Sequence, residues 1–64
     1  MCRSIKKLRD AEKPPTEVEI QEAALQFVRK VSGYRQPARR NEDAFNAAVS
    51  EIAEASRRML DRIT

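Results

Sequence analysis

The chain of 64 residues contains no histidine and no tryptophan, and it has one cysteine and one glycine. A single cysteine excludes a disulfide framework within the chain. Without histidine, that cysteine cannot complete the nitrogen and sulfur ligand set of a usual zinc site. One glycine leaves no glycine-rich loop for holding phosphate groups. We therefore predict no metal, no other cofactor and no enzymatic activity.

Long apolar segments are also lacking. No run approaches the ~20 apolar residues that a membrane span needs. The basic start of the chain is not followed by the apolar segment of a signal peptide. A lone thiol, at Cys2, suits a reducing compartment. These features predict a cytoplasmic protein that has no contact with a membrane.

Apolar and aromatic residues are scarce, at 41% and 5% of the chain. A chain this short is close to the lower size limit for folding alone, and burial barely offsets the chain entropy. Since disulfides and protein-bound metals are excluded above, self-association is the remaining source of extra burial. We therefore predict a single domain over residues 1–64 that forms a homo-oligomer, with a dimer as the simplest case.

The first helical pattern starts at Thr16, which together with Glu19 matches a capping box. It stops before Gly33, a residue suited to the left-handed conformation that closes a helix. These signals predict a helix over residues 16–32. Its apolar residues recur at steps of three and four, and they are Ile20, Ala23, Ala24, Phe27, Val28 and Val31.

The second pattern is longer and predicts a helix over residues 41–63, with Asn41 as the N-cap. Its stripe, widened by three further apolar residues (Ala48, Ala55, Leu60), consists of Phe45, Val49, Ile52, Ser56, Met59 and Ile63. The connection over residues 34–40 is short enough for antiparallel neighbours. The predicted fold class is all-α, an antiparallel helical hairpin over residues 16–64.

Residues 1–15 form a short basic N-terminal arm that ends in two prolines. Proline disfavours a helical conformation in the residue before it, so we expect an extended path there. The arm carries two apolar residues, Ile5 and Leu8. These two residues mark either one helical turn or two anchors of an extended arm, and they could pack on the side of the first helix that bears Val18 and Leu25.

Charges are segregated along both helices, with acids at the starts and bases at the ends, as the helix dipole favours. An antiparallel hairpin places each basic end beside the acidic start of the other helix. Glu54 and Arg58 are spaced for an ion pair within the second helix. Much of the net charge of +3 is thereby balanced locally.

The leading functional hypothesis is a self-associating, non-enzymatic interaction module, dimeric and built as a four-helix arrangement. This hypothesis follows from the two long apolar stripes, because the chain has too few residues to cover both. A protein partner other than a second copy is a further alternative. The residues predicted to form the interaction stripe are Phe27, Val31, Phe45, Val49, Ile52 and Met59.

Two other functional classes stay open. Arg35, Arg39 and Arg40 form a basic connection beside Tyr34, which could contact nucleic acid, although an ordinary solvated loop is the simpler interpretation. Cys2 lies among basic residues that favour its thiolate, which would suit a redox or regulatory role. The simpler interpretation of Cys2 is a small buried hydrophobe.

Several segments of the chain occur together in one known family. They are the opening Met1-Cys2-Arg3-Ser4-Ile5-Lys6, the pair Pro14-Pro15 and the run Leu25-Gln26-Phe27-Val28-Arg29-Lys30-Val31-Ser32-Gly33. In these segments the chain resembles a family of short bacterial proteins catalogued as a domain of unknown function. The resemblance implies a bacterial origin and a small helical domain, and it implies no activity, ligand or catalytic residue.

Overall fold

The computed structural model describes residues 7–9 and 13–63. Within these ranges the chain forms two α-helices, α1 (Glu17–Ser32) and α2 (Glu42–Arg62), and no strand. The helices pack side by side, with the start of α1 beside the end of α2. The predicted all-α hairpin is confirmed. Cys2 and Ile5 lie outside the described residues.

Both ends of α1 are stabilised as the sequence predicts. The backbone N–H of Thr16 donates to Glu19 Oε1 at 2.8 Å, and the N–H of Glu19 donates to Thr16 Oγ1 at 3.2 Å. Gly33 closes the helix at φ +80°, where a side chain would be strained. The capping box and the glycine stop are both confirmed.

Asn41 is the residue before α2, as predicted, but its side chain does not cap the helix. Residues Arg39–Asn41 form a short 3₁₀ turn, in which the N–H of Asn41 donates to the carbonyl of Ala38 at 2.8 Å. Asn41 therefore has φ −106° and ψ 2°, and its side chain makes no capping hydrogen bond. A capping side chain needs an extended backbone at its own position. The expected asparagine cap is wrong because the turn uses that residue.

The core is a single layer of small and branched side chains between the helices. α1 contributes Ile20, Ala24 and Val28, and α2 contributes Phe45 and Ala53. Ala53 has 0% of its surface exposed. An alanine at this contact brings the helix backbones close together.

One ion pair joins the helices at the end where the chain enters α1, and the predicted pair lies within α2. Arg57 of α2 pairs with Glu17 of α1, and Gln21 Nε2 also donates to Glu17 Oε2 at 3.2 Å. Arg58 and Glu54 pair at 3.7 Å along α2. All of these groups lie at or near the surface, so each pair contributes at most about 1 kcal/mol.

Neither α1 nor α2 combines the length and the apolar composition that crossing a membrane requires, and no other α-helix occurs in the described residues.

Candidate interaction surface

One flank of α1 stays apolar and uncovered after the hairpin has formed. Positions three and four residues apart share a side of a helix, and Ala23, Phe27 and Val31 form such a row next to the buried row of the core. Phe27 keeps 55% of its surface exposed and Val31 keeps 70%. Two large apolar side chains therefore point into solvent on the same side.

The matching flank of α2 is also apolar. Ala48, Ile52, Met59 and Ile63 follow one another at helical spacing on one side of α2. Ala48 and Ile52 are half-buried, whereas Met59 and Ile63 are 54% and 42% exposed. The helices thus leave a continuous apolar surface, called here the open face: Ala23, Phe27, Val31, Ala48, Ile52, Met59 and Ile63.

The open face holds a groove of about 450 Å³ at the end where the two helices are connected. Phe27 and Val31 form one wall, and Ala44 and Ala48 form the other. The connecting segment contributes further apolar surface through Tyr34 and Pro37. The shape is concave and almost wholly hydrocarbon, which is suited to receiving apolar side chains.

A smaller groove of about 280 Å³ lies on the open face at the other end of the hairpin. Its lining includes Ala23, Met59 and Ile63, together with Leu8 from the arm. The expectation that Leu8 packs beside Val18 and Leu25 is wrong. Those two residues lie on the opposite flank of α1, whereas Leu8 lines the groove between the helices.

The opposite side of the hairpin is polar. There the Glu17 carboxylate holds Gln21 and Arg57 in one hydrogen-bonded group. The carboxylate also ties the two helices together across that side. The exposed apolar side chains cluster on the open face, with Val18 as the exception on the opposite flank of α1, and the two sides of the hairpin differ in chemistry.

The predicted interaction stripe divides between the core and the open face. Phe27, Val31 and Met59 are exposed on the open face, whereas Phe45 is buried between the helices. Val49 and Ile52 are half-buried against the core.

Sequence reasoning missed most of the lining of the larger groove, namely Tyr34, Pro37, Ala44 and Ala48 as a set. The spacing of four between Ala44, Ala48 and Ile52 was an available signal. Alanine, however, occurs equally on buried and exposed sides of helices, so this signal is weak. Tyr34 and Pro37 lie in the connection, where helical periodicity carries no information.

The three arginines predicted as a basic contact lie together at the connected end of the hairpin. Arg35, Arg39 and Arg40 are all exposed, and none forms an ion pair within residues 7–9 and 13–63. The side chain of Arg29 donates from Nε to the carbonyl of Arg35 at 3.0 Å, which fixes the connection against α1. The result is a basic rim beside the larger groove.

In the part of the chain that the structure describes, no group of three histidine, cysteine, aspartate or glutamate side chains could hold a metal ion. Cys2, the predicted reactive thiol, lies outside that part.

Comparison with known proteins gives one result. No curated protein and no solved structure matches the chain. One family model matches it over residues 1–64 and is described as "uncharacterized conserved protein". The resemblance seen in the sequence is thereby confirmed, and the chain belongs to this family of unknown function, DUF2277.

Proposed function

We propose that the protein is a non-enzymatic interaction module that self-associates through the open face into a dimer of two hairpins. The observation that carries the proposal is the cluster of exposed apolar side chains on the open face, led by Phe27, Val31 and Met59. Contiguous apolar surface rimmed by polar residues marks interaction sites in soluble proteins.

The small size of the core supports the same conclusion. Five buried hydrophobic side chains serve the described residues, and two of them are alanines. A hairpin with so little internal burial gains stability when a second layer covers its apolar side. A dimer of two hairpins would turn one buried layer into the core of a four-helix bundle.

We favour self-association over nucleic-acid binding as the proposed function. Arg35, Arg39 and Arg40 are exposed, but the chain has three aromatic residues in all, and one of them, Phe45, is buried. Binding of single strands uses a series of aromatic side chains on which bases stack.

The proposal places the dimer in a bacterial cytoplasm, since one cysteine in the chain suits a reducing compartment.

A matched pair of variants tests the proposal. Val31→Lys places a charge on the open face, whereas Val18→Glu places one on the opposite flank of α1. The two valines are 70% and 68% exposed, so neither substitution disturbs the core. Each new charge also has the sign that the helix dipole favours at its end of α1.

We expect Val31→Lys to weaken dimerisation by about a hundredfold or more, because an unpaired charge buried in an interface costs several kcal/mol. Val18→Glu should dimerise like the unmodified chain. Analytical ultracentrifugation gives both association constants, and circular dichroism checks that both variants stay helical. Equal association of the two variants would refute the open face as the interface.

A further inference from the structure

Two hairpins can stack by their open faces with two-fold symmetry in two ways. In the first, the connected ends lie over each other, and each α1 lies over the partner's α2. In the second, the connected end of one chain lies over the arm end of the other, so that α1 faces α1 and α2 faces α2, each pair antiparallel. Closed two-fold dimers bury the same patch on both copies, so each arrangement makes definite demands on the surface.

The shape of the open face is suited to the second arrangement. The larger groove lies at the connected end, between Val31 and Ala48, whereas the exposed apolar side chains of α2, Met59 and Ile63, lie at the arm end. Within one chain, Met59 and Ile63 cannot reach this groove. Antiparallel stacking brings the Met59 and Ile63 of each copy over the groove of the other.

The register of α2 agrees with this pairing. Ile52 lies midway in sequence between Phe45 and Met59, and also midway between Asn41 and Ile63. A two-fold axis that passes by Ile52 therefore sets Met59 of one copy at the level of Phe45 of the other. It sets Ile63 at the level of Asn41. Phe45 and Asn41 both line the larger groove.

We propose that a second copy of this chain docks antiparallel on the open face, with the two-fold axis at Ile52 and with Met59 and Ile63 filling the partner's larger groove. This inference rests on the proposed function and adds the arrangement to it. Each dimer then contains two filled grooves related by the axis.

Charge along α1 favours the same arrangement. Lys30 is three residues beyond Phe27 and borders the open face near the connection, whereas Glu19 and Glu22 border it at the arm end, beside Ala23. Lys30 lies near the basic end of α1, and Glu19 and Glu22 lie near its acidic start. Antiparallel stacking of α1 on α1 therefore sets the basic end of one copy over the acidic start of the other.

The alternative arrangement is opposed by charge. The connected end carries five cations against two acids. They are Arg29, Lys30, Arg35, Arg39 and Arg40, against Glu42 and Asp43. Stacking two connected ends concentrates all ten cations at one end of the dimer, and like charges across an interface disfavour association. Stacking each connected end on an arm end separates the two sets of five cations by the length of the hairpin.

Spin-label distances test the arrangement. Cys2→Ser removes the native thiol, and Ala38→Cys then places one label on the exposed connection, away from the open face. The proposal expects the two labels of a dimer to be about 35 Å apart, since each lies more than ten helical residues from the axis at 1.5 Å per residue. Double electron–electron resonance measures this distance in solution.

A second label at the arm end completes the design. In a mixture of Ala38→Cys chains and Asp61→Cys chains, the proposal expects a new short distance, about 20 Å or less, between unlike labels. Ala38 labels that lie this close to each other would instead show the connected ends together and overturn the arrangement while keeping the dimer. Absence of any distance between chains, at concentrations where the unmodified chain is tested, would overturn the proposed function itself.

Discussion

The most deeply buried side chain in the described structure belongs to Ala53, which packs with Ile20 and Ala24 where the helices approach each other. Because none of its surface is exposed, a larger side chain at this position has to displace its neighbours. Its role is steric: it sets the distance between the helices and thereby the width of the open face.

A larger side chain at this position should force the helices apart. We expect Ala53→Leu to lower the free energy of unfolding by about 1–3 kcal/mol, the usual cost of overpacking a core. Urea denaturation at one fixed chain concentration measures the change. Ala47→Leu is the matched control, because Ala47 is exposed on α2 outside the open face, and its effect should stay within about 0.5 kcal/mol. Equal stability of the two variants would contradict the packing described here.

The role of Ala53 was not predictable from the sequence. The pattern of α2 defines a wide apolar side that includes Ala48, Ile52, Met59 and Leu60, and it places Ala53 at one edge. Which part of that side meets α1 depends on how the helices rotate against each other, and that rotation follows from contacts distant in sequence. The structure buries the Ala53 edge and leaves Met59 exposed.

At the scale of the helices, local signals predicted the structure well wherever they act through neighbouring residues. The capping box of Thr16 and Glu19 and the left-handed Gly33 bound α1 as expected. Asn41 failed as a cap because the same residue also completes a 3₁₀ turn. A single sequence does not show which of two local hydrogen-bonding patterns prevails when both are available.

The capping box at Thr16 gives a prediction at this scale. Thr16→Ala removes the hydroxyl that accepts from the N–H of Glu19, and we expect it to cost about 1 kcal/mol of stability. Thr16→Ser keeps the hydroxyl and should retain most of that stability. Thermal unfolding followed by circular dichroism at 222 nm compares the two variants at one chain concentration. Identical loss in both would show that the cap does not stabilise α1.

At the scale of the whole molecule, the two sides of the hairpin have different chemistry. One side is closed by the polar group around Glu17 and Arg57, and the other is the open face with its larger groove. The sequence predicted that the apolar stripes exceed what a hairpin covers. It did not predict that most of the excess lies on one side, since Phe27 and Phe45 look alike in the pattern but only Phe45 is buried.

In the proposed dimer, each chain uses the open face alone, so assembly would stop at two chains rather than continue as a filament. The proposed interface covers apolar surface outside the core of the hairpin, so association should stabilise the helices and raise their unfolding temperature as the chain concentration rises.

Sedimentation equilibrium of the unmodified chain, over a wide concentration range and with and without reductant, tests directly whether the chain dimerises. We expect a species of twice the 7.3 kDa chain mass that is unaffected by reductant. A single-chain mass at every concentration would contradict it, and so would a dimer that dissociates on reduction, which would assign the association to Cys2.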